Sequence, residues 1–373
     1  MRSFYYLPIY SDIRGQIVDQ CVKALENGNK FIYILPSREV MFDVRSRLVE
    51  RYGGLINQYV FGFDDLEMAI VKDSVPVPKT IGESALILIL RSLLKGLADS
   101  SELPFFNKVW NKPGFIEDLY RTIKRLKRLY LSPDSFGRII ENFNKTVDNK
   151  ILYHKCADVL KVFRYYEDYK KDRDLYDIDD ISFKAVENAG TASIFSDIEV
   201  FAVDGFINID PVNKALMEQV IRHYPDIRFI TSIPFKNHNV DEFVADEVVK
   251  DFIELGFTEE KAYTGCYEAV GEKLMAVGDN LFSQASGIID GADNIRILNA
   301  PSIENEVRQA ARLIKQKLIS GEAEAEGITL YVNSMDLYQD WIFKVFNEYG
   351  LPVRLQPKQP LLHSRTVKVR REK

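Results

Sequence analysis

Cysteine is scarce in this chain of 373 residues: Cys21, Cys156 and Cys266 are the whole complement. Thiols so few and so far apart exclude a disulfide framework or a cysteine-built metal cage, and they suit a reducing compartment. Histidine is almost as rare. His154, His223, His238 and His363 stand alone, with no nucleophile placed to use them. A surplus of positive charge is missing too: 49 Lys and Arg face 55 Asp and Glu, for a formal net charge of −6. No whole-chain basic field advertises nucleic acid, so any such contact must come from a local patch. Long apolar runs are also lacking, since the longest candidate, residues 85–90, stops at Arg91, well short of the ~18 residues a membrane-spanning helix needs. The opening MRSFYYLPIYSDIRG has one early Arg but no apolar core leading to a cleavage site, so no secretory signal is expected. Together these absences predict a cytoplasmic protein without a membrane segment.

What is present is globular in kind. Hydrophobic residues make up 46% and charged residues 28%, and the length allows two or three domains of ~100–200 residues. Residues 4–10 read as a strand, 13–25 as a helix with apolar positions at helical spacing, and 31–35 as a strand buried on both faces. A helix over 39–52 and a strand over 58–63 follow. This β-α-β-α-β order predicts a parallel sheet with crossover helices. After the Pro-rich stretch 75–79, residues 80–189 carry long helical periodicities and little strand signal, which predicts a helical insertion. Strands are expected again at 198–203 and 227–232, with a helix over 211–223 between them and helical stretches from 240 to 282. Gly287, Gly291 and Asp293 suggest a linker. A new alternation then begins: strands at 295–298, 328–332 and 353–355, helices at 303–319 and 337–349.

Two stretches resemble parts of a nucleotide site, each with its key residues missing. A phosphate-binding loop of the form G-x-x-x-x-G-K-[ST] uses backbone amides to cradle phosphates and a Lys to neutralise them. The stretch after the first strand, which includes Asp12, Arg14 and Gly15, offers one Gly, no Lys and no following Ser or Thr. It reads as an ordinary strand-to-helix turn in which Arg14 can still meet a phosphate. The second element is an apolar strand ending in an Asp for Mg²⁺, followed by a Glu that orients water. Val200–Val203 leads to Asp204, but Gly205 follows. The plain alternative is that Asp204 caps the turn Asp204-Gly205-Phe206.

The ordered segments FIYILPSREVMFDVRSRL, VFGFDDLEMAI, IEVFAVDGFINIDPVNKALMEQVI and FITSIPF resemble the N-terminal helicase-like half of the AddB family, which includes RexB. Members are the B chains of bacterial ATP-dependent helicase–nuclease complexes. IRILNAPSIENEVRQAARLIKQKL and ITLYVNSMDLYQDWIFKVFNEYGLPVRL are similar to the opening of that family's second helicase-like domain. The resemblance implies an α/β fold, a RecA-like parallel sheet of superfamily 1 helicase type with a helical insertion, plus the start of a second such domain. The implied division is 1–79 and 190–292 for the first domain, 80–189 for the insertion and 293–373 for the partial second domain.

It further implies a role in repair of DNA double-strand breaks by homologous recombination. The implied partners are single-stranded or unwound DNA and an AddA-like helicase–nuclease chain. Ser37 and Arg38, Phe63, and Thr231, Ser232 and Phe235 fall in loops that line a DNA path in such helicases. Hydroxyls and Arg38 suit phosphate, and Phe63 or Phe235 offers a stacking face; the plain alternative makes both phenylalanines core residues. Asp64 and Asp65 speak against recognition of a recombination hotspot there. Arg121, Lys124, Arg125 and Arg128 share one helical face, either a phosphate track or a solvated surface. The acidic stretch 172–180 would repel DNA and is expected to face a partner or solvent.

Mg²⁺ and a 4Fe-4S cluster belong to the family's C-terminal nuclease. The available triplets Asp168-Tyr169-Lys170 and Glu259-Glu260-Lys261 sit in helix-like surroundings, without the convergent strands that metal-dependent cleavage needs, and clustered cysteines are lacking. No catalytic residue, metal ligand or cofactor is therefore expected in this chain. The basic tail 365–373 does not resemble what the family has there, which suggests a truncated chain or a shortened or frame-shifted reading frame. The expectation is a helicase scaffold without ATP hydrolysis; an active DNA-dependent ATPase and a structural assembly module without DNA affinity are the alternatives.

Overall fold

The computed structural model describes residues 1–7, 13–54, 59–73, 78–146, 149–234, 245–260, 274, 276–277 and 295–353. The chain divides into two units, Met1–Ile289 and Asp290–Lys373.

The first unit is built on a six-stranded sheet. Its strands are β1 (Arg2–Leu7), β2 (Lys30–Ile34), β3 (Val60–Phe61), β6 (Ile198–Asp204), β7 (Arg228–Pro234) and β8 (Thr258–Glu260). They lie in the order β3-β2-β6-β7-β1-β8, and every neighbouring pair is parallel. The unbroken apolar runs of β2 and β6 are explained by helices on both faces. Alternation sends Phe31, Tyr33, Leu35, Val200 and Ala202 to one face, where they pack with Ile17, Val18 and Cys21 of α1 (Ile13–Glu26) and Met41, Val44 and Leu48 of α2 (Arg38–Tyr52). Ile32, Ile34, Phe201, Val203 and Phe229 face the other way. There they meet α3 (Phe63–Lys72), α8 (Ile178–Asn188), α9 (Pro211–His223) and α10 (Ala245–Glu254).

Between α3 and α8 the chain leaves the sheet. A short parallel ladder pairs β4 (Lys79–Thr80) with β5 (Leu175–Tyr176) and closes the base of a helical lobe. The lobe contains α4 (Glu83–Asp99), α5 (Pro113–Arg128), α6 (Pro133–Thr146) and α7 (Lys150–Lys171). Leu90, Leu94, Leu119, Ile123, Phe163 and Tyr166 form its separate core. The insertion expected over 80–189 takes in α8, yet Ile181, Ala185 and Val186 of that helix belong to the core beneath the sheet.

Three local expectations change. β3 stops at Phe61, because Gly62 caps α3 and its N–H donates to Asp65 Oδ2 at 3.2 Å. Asp64 and Asp65 in the first turn complement the positive end of the helix. Thr258–Glu260, read as helical, is an edge strand beside β1, where Ser3 Oγ and Tyr5 Oη donate to Glu260 at 2.7 and 3.0 Å. In the second unit α11 (Ile303–Ser320) and α12 (Met335–Tyr349) pack through Val307, Ala311, Ile342, Val345 and Phe346. The segments 295–298 and 328–332 form no ladder among the described residues, and Ile297 is 95% exposed. Among the described residues these segments have no ladder neighbour to take their backbone hydrogen bonds. The expected strand at 353–355 and the basic tail lie almost wholly outside the described residues. Among the described residues, no helix is long and apolar enough to cross a membrane.

Candidate functional site

Open parallel sheets bind ligands beyond the carboxyl ends of their strands. At that edge β6 ends in Asp204, which is 2% exposed. Its Oδ2 accepts from Arg14 Nε at 2.9 Å and from Tyr33 Oη at 3.1 Å. Its Oδ1 accepts from Ser232 Oγ, the residue opposite it in the β6–β7 register. Arg14, in the first turn of α1, also approaches Asp43 of α2 at 3.8 Å. Burial alone lowers the Arg14 pKa, but the Asp204 carboxylate outweighs it and holds the guanidinium above its ordinary value. Burial, then Asp204, pushes the Tyr33 phenol well up, so it stays a neutral donor.

Asp204 thus does not cap the turn after it. A strand-end carboxylate that already satisfies a guanidinium and two hydroxyls does not fit a Mg²⁺–nucleotide site, whose metal needs those same lone pairs. Gly205 has φ +79°, and a Cβ there would lie 3.5 Å from Pro36 Cγ and 3.9 Å from an Arg14 terminal nitrogen. Gly15 is buried in α1, and its carbonyl accepts from Arg51 at 2.8 Å. Asp12 lies outside the described residues.

The expected DNA-path residues follow β2 and β3 or lie in β7, at the carboxyl edge of the sheet, but the fold commits most of them to structural contacts. Ser37 caps α2, accepting from the Val40 N–H at 3.4 Å, and Arg38 next to it is exposed. Phe63 is a core residue, 6% exposed, with its ring edge-on to Phe206 at 5.3 Å, so it presents no stacking face. Thr231 is buried in β7, and Ser232 serves Asp204 instead of solvent. Phe235 lies outside the described residues.

On α5 the basic face splits. Arg121, Lys124 and Arg125 remain at least partly exposed, with Arg121 near Glu117 and Asp118 at 3.7 and 3.4 Å. Arg128 turns inward to Asp179 at 2.9 Å, Asp64 at 3.3 Å and Asp210 at 4.0 Å, tying the end of α5 to residues that follow β3 and β6.

The acidic stretch 172–180 does not simply face outward. Asp177 and Asp180 form a reciprocal cap on α8, each carboxylate accepting from the other's N–H at 2.8 Å. Both also bind two fully buried ammonium groups, Lys127 and Lys170. Burial raises the Asp177 pKa, but Lys127 and Lys170 outweigh it and hold the carboxyl well below its usual range. Glu167, Asp177 and Asp180 bring carboxylate oxygens within 4.8 Å of one another, a metal-like spacing. The position is filled by Lys127 and Lys170, at 2.6–3.3 Å from these acids where distances are ordinary. Of the nuclease-like triplets, Asp168–Lys170 is helical with Lys170 buried, and Glu259–Glu260 lies in β8.

Tyr33, Asp43 and Glu67 carry no signal in the sequence. Tyr33 looks like one more apolar strand residue, and its hydroxyl matters only because β6 lies beside β2. Glu67, 1% exposed on α3, accepts from Ser182 Oγ of α8 at 2.6 Å, and burial pushes its carboxyl up to about 7.

Comparison with known proteins gives a consistent result. The family model "ADDB, N-terminal" matches residues 11–245, more than half of the chain. The B chain of the ATP-dependent helicase/deoxyribonuclease of Geobacillus kaustophilus is 23% identical over 355 residues, covering 90% of this chain and 30% of that protein. The protein of the same description from Natranaerobius thermophilus is 21% identical over 389 residues, covering 95% and 32%. One from Carboxydothermus hydrogenoformans is 21% identical over 345 residues, covering 90% and 30%. The chain thus spans about 30% of the length of the curated relatives it matches. With its parallel sheet, its helical lobe and the match over 11–245, the chain belongs to the AddB family, in that family's N-terminal part.

Proposed function

We propose that this chain is the helicase-like, non-hydrolysing part of the B chain of a DNA-repair helicase–nuclease, with a RecA-like first domain. The observation that carries the reading is Asp204, whose oxygens are committed to Arg14, Tyr33 and Ser232. In a working NTPase the equivalent carboxylate serves Mg²⁺, a Lys meets the phosphates and a Glu or Gln orients water. Here no Lys follows Gly15, and Gly205 supplies no carboxylate. The strand order supports the scaffold, because β7 separates the Asp204 strand from β1 as the strand between motifs does in RecA-like domains.

DNA contact on this reading is confined to cations that stay at least partly exposed: Arg38 at the start of α2 and Arg121, Lys124 and Arg125 on α5. The relatives' description as one chain of a helicase/deoxyribonuclease supports a companion chain of the AddA kind and DNA as substrate. An ATPase assay with single-stranded DNA tests the claim. The expected result is no DNA-stimulated turnover; robust turnover that is lost in Asp204→Ala overturns it.

A further inference from the structure

Arg128, the last residue of α5, spreads one guanidinium over three carboxylates from three different elements. Its Nε lies 2.9 Å from Asp179 of α8, Nη2 lies 3.3 Å from Asp64 of α3, and Nη1 lies 4.0 Å from Asp210 at the start of α9. The Asp179 carboxylate is buried and makes the firm arm, while Asp64 is exposed and Asp210 half-exposed. Asp210 stands at the N-cap of α9 yet makes no side-chain cap bond, which leaves its carboxylate to Arg128. Such a fan suits a planar cation with donors on several sides; an ammonium is a point charge and cannot copy it.

The strand order gives this clamp a consequence. Asp64 follows β3 and Asp210 follows β6, and β2 lies between those two strands. The chain leaving β2 leads to Arg38, exposed at the first position of α2. Lys124 and Arg125 sit one turn before Arg128 on α5 and stay at least partly exposed. Arg128 therefore ties the lobe's cations to the two segments that flank the one bearing Arg38. We propose that Arg128 is a positioning residue for single-stranded DNA. It sets α5 so that Lys124 and Arg125 continue, along one strand of phosphates, the contact begun at Arg38. Its own nitrogens are taken by acids, so it is not itself a phosphate ligand. This role deepens the DNA reading above and rests on it.

Arg128→Lys keeps the charge and removes the fan. The measurement is a titration of fluorescein-labelled oligo(dT) at several salt concentrations, followed by anisotropy. Arg128→Lys is expected to bind about tenfold more weakly in low salt and to lose about two ions of salt slope, as Lys124→Ala/Arg125→Ala does. Adding Lys124→Ala and Arg125→Ala to Arg128→Lys should then change nothing further, whereas adding Arg38→Ala should still remove about one ion. General unfolding would erase the Arg38 contact too. An Arg128→Lys variant that binds like wild type overturns the proposal, and so do losses that simply add. Asp64→Asn/Asp210→Asn decides the matter should Arg128→Lys fail to fold, because it leaves Arg128 its buried partner Asp179. If only the overall field mattered, removing two negative charges would tighten binding. The clamp expects weaker binding, and tighter or unchanged binding overturns it. A wild type that binds no oligo(dT) sinks the DNA reading and the clamp together; wild-type binding that Arg128→Lys leaves intact sinks the clamp alone.

Discussion

At Gly205 the backbone sits at φ +79°, a region that strains any residue with a Cβ. Putting back the carboxylate that a hydrolase would carry there costs conformational energy, although a Cβ would meet Pro36 only in ordinary contact at 3.5 Å. Gly205→Glu is therefore expected to lower Tm and to yield no ATP turnover, both read on the same preparation. Glu67 offers a second single-residue test. Its carboxyl titrates at about 7, mainly because it is buried; Ser182 and Arg128 oppose the shift, while Asp64 and Asp179 add to it. Between its ordinary value of 4.5 and about 7 the folded chain holds a proton that the unfolded chain has released. Stability from this group is therefore full below pH 4.5 and falls as pH rises towards 7, by about 3 kcal/mol at most. Urea denaturation across that window should show the fall in wild type. Glu67→Gln should flatten it and be the more stable protein at pH 8, since a neutral amide still accepts from Ser182.

Among elements, the joint between the helical lobe and α8 is held by charge. Lys127 of α5 and Lys170 of α7 sit, fully buried, against the Asp177–Asp180 cap of α8. Removing one member of such a cluster leaves a buried charge without its partner, at a cost of about 3–5 kcal/mol, whereas neutralising both members is far milder. Lys127→Met should lower stability by about that amount, with hydrogen exchange rising first in α5 and α8. Lys127→Met/Asp177→Asn should regain much of the loss, since Asn remains a good helix cap. This joint also marks where sequence reading runs out. Period and punctuation locate α1, α2 and α9 to within a few residues. The acids 172–180 read as surface, because their cationic partners come from helices up to 53 positions earlier. In the same way, the buried aromatic strand around Tyr33 is evident, but its hydroxyl's partner on β6 is not. Short strands such as Thr258–Glu260 carry too few residues to show a period.

For the whole molecule, the acidic net charge means that any nucleic-acid binding must be local and weak in salt dependence. Titration of single-stranded DNA at several salt concentrations should give a shallow slope. Arg38→Ala should reduce it by about one ion, and Lys124→Ala/Arg125→Ala by about two. A slope unchanged by either substitution would place the contact elsewhere. The overall α/β plan and the insertion are legible because buried parallel strands and long amphipathic helices write strong patterns. In the second unit the segments 295–298 and 328–332 carry strand-like composition but form no ladder among the described residues, since a strand exists by pairing and not by composition.

The β4–β5 ladder has an engineering corollary. Its partners Lys79 and Leu175 are direct neighbours, so the chain departs and returns through a doorway one strand spacing wide, about 4.8 Å. Grafting a short Gly-Ser bridge across that doorway would excise α4–α7 without stretching the remaining backbone. The graft would also strand Asp177, Asp179 and Asp180, whose cations leave with the excised helices. A viable minimal scaffold would therefore need those three acids made neutral in the same step.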